Sequence, residues 1–117
     1  MEQCNIDDYA LRQQSICRRN DSISPRLYSE YDVKLGLRDS NGSGVLTGLT
    51  NISEVIGFQV DDGRKIPCDG ELWYRGYHVR TLTGELDEKE FGFEKIAYLL
   101  LMGEMPDEEA LRDFKEI

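Results

Sequence analysis

His78 is the single histidine of the chain, and it stands in Trp73-Tyr74-Arg75-Gly76-Tyr77-His78, where four rings fall within six positions. A histidine with an orienting partner can act as a general base or a metal ligand. One histidine builds neither a zinc triad nor a two-histidine relay, so His78 is read as a half-exposed strand residue between Tyr77 and Val79. Arg75 could bind a carboxylate, but in a chain this rich in Asp and Glu a strand arginine is expected to pair within its own fold. Trp73, Tyr74 and Tyr77 are expected in a core rather than on a ligand platform. Cys4, Cys17 and Cys68 are odd in number, widely spaced and without a Cys-x-x-Cys unit, which predicts reduced thiols and neither disulfide nor zinc site. Cys68, beside Pro67, carries no sequence feature that would activate it as a nucleophile. Asp107, Glu108 and Glu109 suit a helix start better than a metal, because adjacent helical positions do not converge. Gly42-Ser43-Gly44 lacks the lysine and the strand-to-helix setting of a phosphate loop. No catalytic, cofactor-binding or metal-ligating residue is therefore assigned.

Composition narrows the partners. The formal charge is −9: residues 1–49 hold seven acids and six bases, while residues 50–117 hold sixteen acids and eight bases. Binding phosphate backbones or anionic membranes requires clustered Lys and Arg, so neither nucleic acid nor membrane is expected as a partner. With no basic-then-apolar leader and no apolar run long enough to cross a bilayer, the expectation is a soluble, cytoplasmic protein. A chain of 117 residues allows one domain with a modest core.

The elements that must position these residues follow in order. A thin amphipathic helix is expected after Asn5, with Asp7 and Asp8 in its first turn and Arg18 and Arg19 in its last. Asn20 to Ser24 is a polar break. Ser24-Pro25 starts a second short helix expected to end near Gly36. Residues 38–44 read as a flexible linker, which divides the chain into a helical arm at 1–37 and a main unit at 45–117. Residues 50–60 favour a strand, Asp62-Gly63 a hairpin turn, and Asp69-Gly70 a second turn before an aromatic strand over 70–79 in which Gly76 bends the pleat. Pro67 belongs at a sheet edge. Thr83-Gly84-Glu85-Leu86 is expected to break the strand. The main helix should start around Phe93 and end at Gly103, apolar nearly all round and so covered on most sides. A last helix, capped by Asp107, turns Ala110, Leu111, Phe114 and Ile117 inward and reads as cut short. The predicted class is an α+β fragment of a mainly α-helical fold: amino-terminal helices, a small antiparallel hairpin unit, then packed helices.

Three stretches, taken together, resemble the amino-terminal portion of the citrate synthase family. They are Thr50-Asn51-Ile52-Ser53, then Asp69-Gly70-Glu71-Leu72-Trp73-Tyr74-Arg75-Gly76-Tyr77, then the run from Phe93-Glu94-Lys95-Ile96-Ala97-Tyr98 to Gly103-Glu104-Met105-Pro106. The resemblance covers residues 49–117, and residues 1–44 are similar to the amino-terminal arm of bacterial members. It implies part of a mostly helical homodimeric enzyme that condenses acetyl-CoA with oxaloacetate to give citrate and CoA. The histidines and aspartate that do this chemistry in the family lie outside the portion matched, and His78 does not inherit their role. The resemblance thus implies a structural segment, inactive alone, that binds no cofactor, with acetyl-CoA as co-substrate of the full-length enzyme. Its partners would be the remainder of the chain and a second copy of itself. A 2-methylcitrate synthase segment and a non-enzymatic protein-interaction module are the alternatives.

Overall fold

The computed structural model describes residues 5–85 and 92–117 of the chain. Cys4 and the acidic stretch 87–90 lie outside the described residues. The chain divides into two compact units, one holding the residues up to Asp21 and those from Ile52 onward, the other Ser22–Asn51.

In the first unit, helix α1 (Ile6–Asn20) starts where the sequence predicts, with the Asn5 side chain accepting from the Asp7 amide at 3.0 Å. Strands β1 (Ser53–Asp61), β2 (Arg64–Tyr74) and β3 (Tyr77–His78) form an antiparallel sheet in the order β1-β2-β3. The β1–β2 turn is the expected one: Asp62 and Gly63 take φ of 47° and 72°, the paired positive values of a type I′ turn. The second turn expected at Asp69-Gly70 does not form. The register runs from Phe58↔Pro67 to Ile56↔Glu71, so Cys68, Asp69 and Gly70 are absorbed as an irregularity within one continuous strand. Pro67 sits on the central strand rather than an outer one. It is tolerated because β3 pairs only with Trp73 and Tyr74, which leaves the far side of β2 without a strand partner at Pro67.

The aromatic run departs furthest from expectation. It is not one strand: Arg75 and Gly76, at φ of 47° and 85°, close a second two-residue turn after Tyr74. Helix α3 (Val79–Glu85) then begins at once, and Thr83 and Gly84 lie inside it instead of breaking a strand.

Helix α4 (Gly92–Met102) ends as predicted at Gly103, whose φ of 79° is a left-handed terminus. Helix α5 (Glu108–Lys115) follows, with Asp107 Oδ1 accepting from the Ala110 amide at 2.8 Å. Tyr9, Tyr98 and Met102 form the core between α1, α4 and α5, joined by Ile16, Cys17, Ala110 and Phe114. Cover on most sides of α4 is not observed: Tyr98, Leu99 and Met102 are buried, but Phe93 is 84% and Leu101 57% exposed.

In the second unit, helix α2 (Pro25–Glu30) stops well before Gly36. Asp32, at φ of 50°, takes the left-handed position usually given to glycine, and the amides of Asp32 and Val33 return to the carbonyls of Ser29 and Tyr28. The stop signal is an aspartate, which composition alone does not flag. The predicted linker closes on itself: Arg38 bridges Gly44, and the Asp39 carboxylate accepts from the amides of Asn41 and Ser43.

Candidate functional site

Of the residues singled out by type, Arg75 lies at the junction of the β2–β3 turn with the carboxyl-terminal ends of α1 and α4. Arg75 occupies the first position of the turn, and its side chain is only 4% exposed. Its Nη2 donates to Asp21 Oδ1 at 2.6 Å and to the Leu100 carbonyl at 2.9 Å; its Nη1 donates to the Asn20 carbonyl at 3.3 Å. Helix carboxyl ends leave carbonyls without intrahelical partners and carry partial negative charge, so a guanidinium is well matched to two of them at once. The arginine does pair within its own fold. Two helix carbonyls that the sequence could not point to share it with the carboxylate.

Around it the fit is close. Asn20 Nδ2 donates to the Met102 carbonyl at 2.6 Å, and Arg19 meets Glu104 at 2.8 Å. A Cβ added to Gly103 would lie 2.6 Å from the Asn20 Cβ, so this glycine is needed for close approach as well as for its φ. The sequence identifies Gly103 as a helix end and Asn20 as a polar break. Their juxtaposition across 83 positions has no local signal.

His78 is held for a local purpose. Its Nδ1 accepts from the Arg80 amide at 3.1 Å, which caps the first turn of α3, and its ring stands edge-on to Trp73 at 4.8 Å. Trp73 Nε1 in turn donates to Glu71 at 3.2 Å. Trp73 and Tyr74 are half-buried, while Tyr77, expected in a core, is 40% exposed. Cys17 Sγ lies 3.5 Å from Met102 Sδ and 3.7 Å from the Leu101 carbonyl, in the α1–α4 contact; Cys68 is half-buried in the irregular stretch of β2. Among the described residues, Tyr9 and Tyr98 have shifted ionisation. Burial, then the neighbouring Tyr98 and Asp113, push Tyr9 up to about 12; burial, then Glu104 and Asp107, raise Tyr98.

Among the described residues no group of three or more His, Cys, Asp or Glu is placed to hold a metal ion. No described helix is long and apolar enough to cross a membrane. The arrangement at Arg75 fixes one turn to two helix ends.

Comparison with known proteins bears out the family resemblance. The sequence profile described as "Citrate synthase, C-terminal domain" matches residues 37–117. Among curated proteins, 2-methylcitrate synthase 1 of Corynebacterium glutamicum is 35% identical over 86 residues, covering 74% of this chain and 17% of that protein. A 2-methylcitrate synthase of Mycobacterium tuberculosis is 29% identical over 102 residues, covering 87% of this chain and 21% of that protein. The chain therefore spans about a fifth of the length of the curated relatives it matches. No solved structure gives a significant match.

Proposed function

The chain belongs to the citrate synthase family, and from that premise we propose that it is the amino-terminal segment of an acyl-transferring synthase, with a structural part to play and no catalytic one. The supporting observation is the Arg75 junction. The polar residues of the family-like strand motif tie a turn to α1 and α4, and that leaves the guanidinium committed to Asp21 and to the carbonyls of Asn20 and Leu100. In this reading the segment supplies the hairpin and first helices of a mainly α-helical homodimer, with the exposed Phe93 and Leu101 of α4 covered by the remainder of the protein or by a second copy.

The full-length reaction is the joining of an acyl-CoA to oxaloacetate with release of CoA. Citrate synthase and 2-methylcitrate synthase both fit, and the names of the relatives give the second its standing. The test is CoA release from acetyl-CoA and from propionyl-CoA with oxaloacetate, for this chain and for the full-length product of its gene. Turnover in the long form alone supports the structural reading, and the ratio of kcat/KM for the two thioesters separates the two activities. Turnover by the 117-residue chain would overturn the assignment of a non-catalytic role.

A further inference from the structure

The contacts of α1 are unequal along its length. Its carboxyl-terminal end is clamped: Arg75 holds the Asn20 carbonyl and the Asp21 carboxylate, Asn20 holds the Met102 carbonyl, and Arg19 pairs with Glu104. The amino-terminal half docks through Tyr9, whose ring lies 6.4 Å from that of Phe114 in a tilted arrangement. Two polar atoms buried in that half, Tyr9 Oη and Gln13 Oε1, have no hydrogen-bond partner among the described residues. They lie one helical turn apart, so the same movement that wets one wets the other. Beside them a cleft of about 450 Å³ separates α1 from the ends of α4 and α5; it is lined by Ile6, Tyr9 and Gln13 on one side and by Leu101, Phe114 and Ile117 on the other.

We propose that α1 is a hinged strap, whose amino-terminal half lifts from α5 about the clamped Asn20–Asp21 end and so widens this apolar cleft. Docking buries the Tyr9 ring but places two polar atoms where no described residue hydrogen-bonds to them. Each such atom moves the docked-to-lifted ratio against docking by roughly fivefold to a hundredfold. Lifting restores their hydration while the clamp stays closed. The strap is therefore held at one end by apolar contact and the solvent-exposed Arg12–Asp113 pair at 3.9 Å, which contributes little, and at the other by charge-assisted bonds around the buried Arg75, the distribution a hinge needs. The idea concerns this chain's own motion and stands whether or not the full-length enzyme prefers acetyl-CoA.

Removing the unpaired hydroxyl without removing the ring isolates the effect. In Tyr9→Phe the amides of residues 10–14 should exchange with solvent about tenfold more slowly than in the parent chain, with those of β1 and β2 unchanged. Labelling of the Cys17 thiol, followed by mass spectrometry of the peptide that contains it, should slow in parallel. Gln13→Leu should do the same through the second atom. Unchanged or faster exchange in both variants would overturn the proposal, because the two atoms would then be satisfied when docked. Slowing spread equally over α1, α4 and the hairpin would overturn it too, since that pattern reports global stabilisation without a hinge.

Discussion

Strand β2 passes through two contrasting environments. At its end, the Arg75 side chain is 4% exposed and bonded to Asp21 and to the carbonyls of two helices. Nearer the hairpin tip Ile66 is 46% exposed, and Val60 on β1 is 67% exposed. Both regions are β structure, and both were visible in the sequence as runs of β-favouring residues around a turn. What separates them is whether anything packs upon them. The tip is stabilised by its ladder and its Asp62-Gly63 turn. The base is stabilised by polar groups that reach across the chain to helix ends. Alternating apolar residues thus make a hairpin without deciding whether it will be buried, and here the burial is set by Arg75, Asn20 and Gly103.

Substitutions can break or sharpen that contrast. The largest effect should come from Arg75→Ala, which leaves the Leu100 and Asn20 carbonyls and the Asp21 carboxylate without their donor. The expected loss is about 3 kcal/mol in urea unfolding, read as a lower midpoint. Gly103→Ala should follow at about 2 kcal/mol, from a left-handed φ and a Cβ driven into Asn20. Asp107→Ala, which removes the α5 cap bond to Ala110, should cost about 1 kcal/mol by the same measurement. At the tip, Val60→Thr should move the midpoint by no more than about 0.5 kcal/mol, since the side chain loses little burial. A tip substitution as costly as Arg75→Ala would abolish the distinction.

A pH series sharpens the same comparison from the core side. The Tyr9 phenol has an ordinary value near 10 and is pushed up to about 12 in the fold. Below pH 10 both states keep the proton, and this group adds no pH dependence. Between 10 and about 12 the unfolded chain ionises first, so stability should fall as pH rises. The slope of urea midpoint against pH should be shallower in Tyr9→Phe, with the remainder carried by Tyr98.

Much of the fold was legible locally. Asn5, Asp107 and Gly103 mark helix ends by side-chain chemistry or backbone freedom, and Asp62-Gly63 marks its turn by φ. The misses share a cause. Asp32 and Arg75 adopt left-handed backbone that composition assigns to glycine, so the sequence pattern extends α2 too far and joins the aromatic run into one strand. In the sequence His78 reads as a strand residue. Its capping of α3 needed the turn at Arg75-Gly76 to be known first. The junction itself joins residues 19–21, 75 and 100–104, and no window of sequence contains them all.

That separation bears on the order in which the chain assembles. Closing the β1–β2 turn brings together Asp61 and Arg64, three positions apart, an event of about microseconds. Seating Arg75 against Asn20 and Leu100 instead closes stretches of 55 and 25 residues. The entropy of ordering such stretches must be lost before the bonds form. The hairpin is thus expected to exist first as an independent arm, and Arg75 to be the latch that arrives late. During synthesis, a ribosome-bound chain that has not yet released Leu100 can hold the hairpin but not the latch.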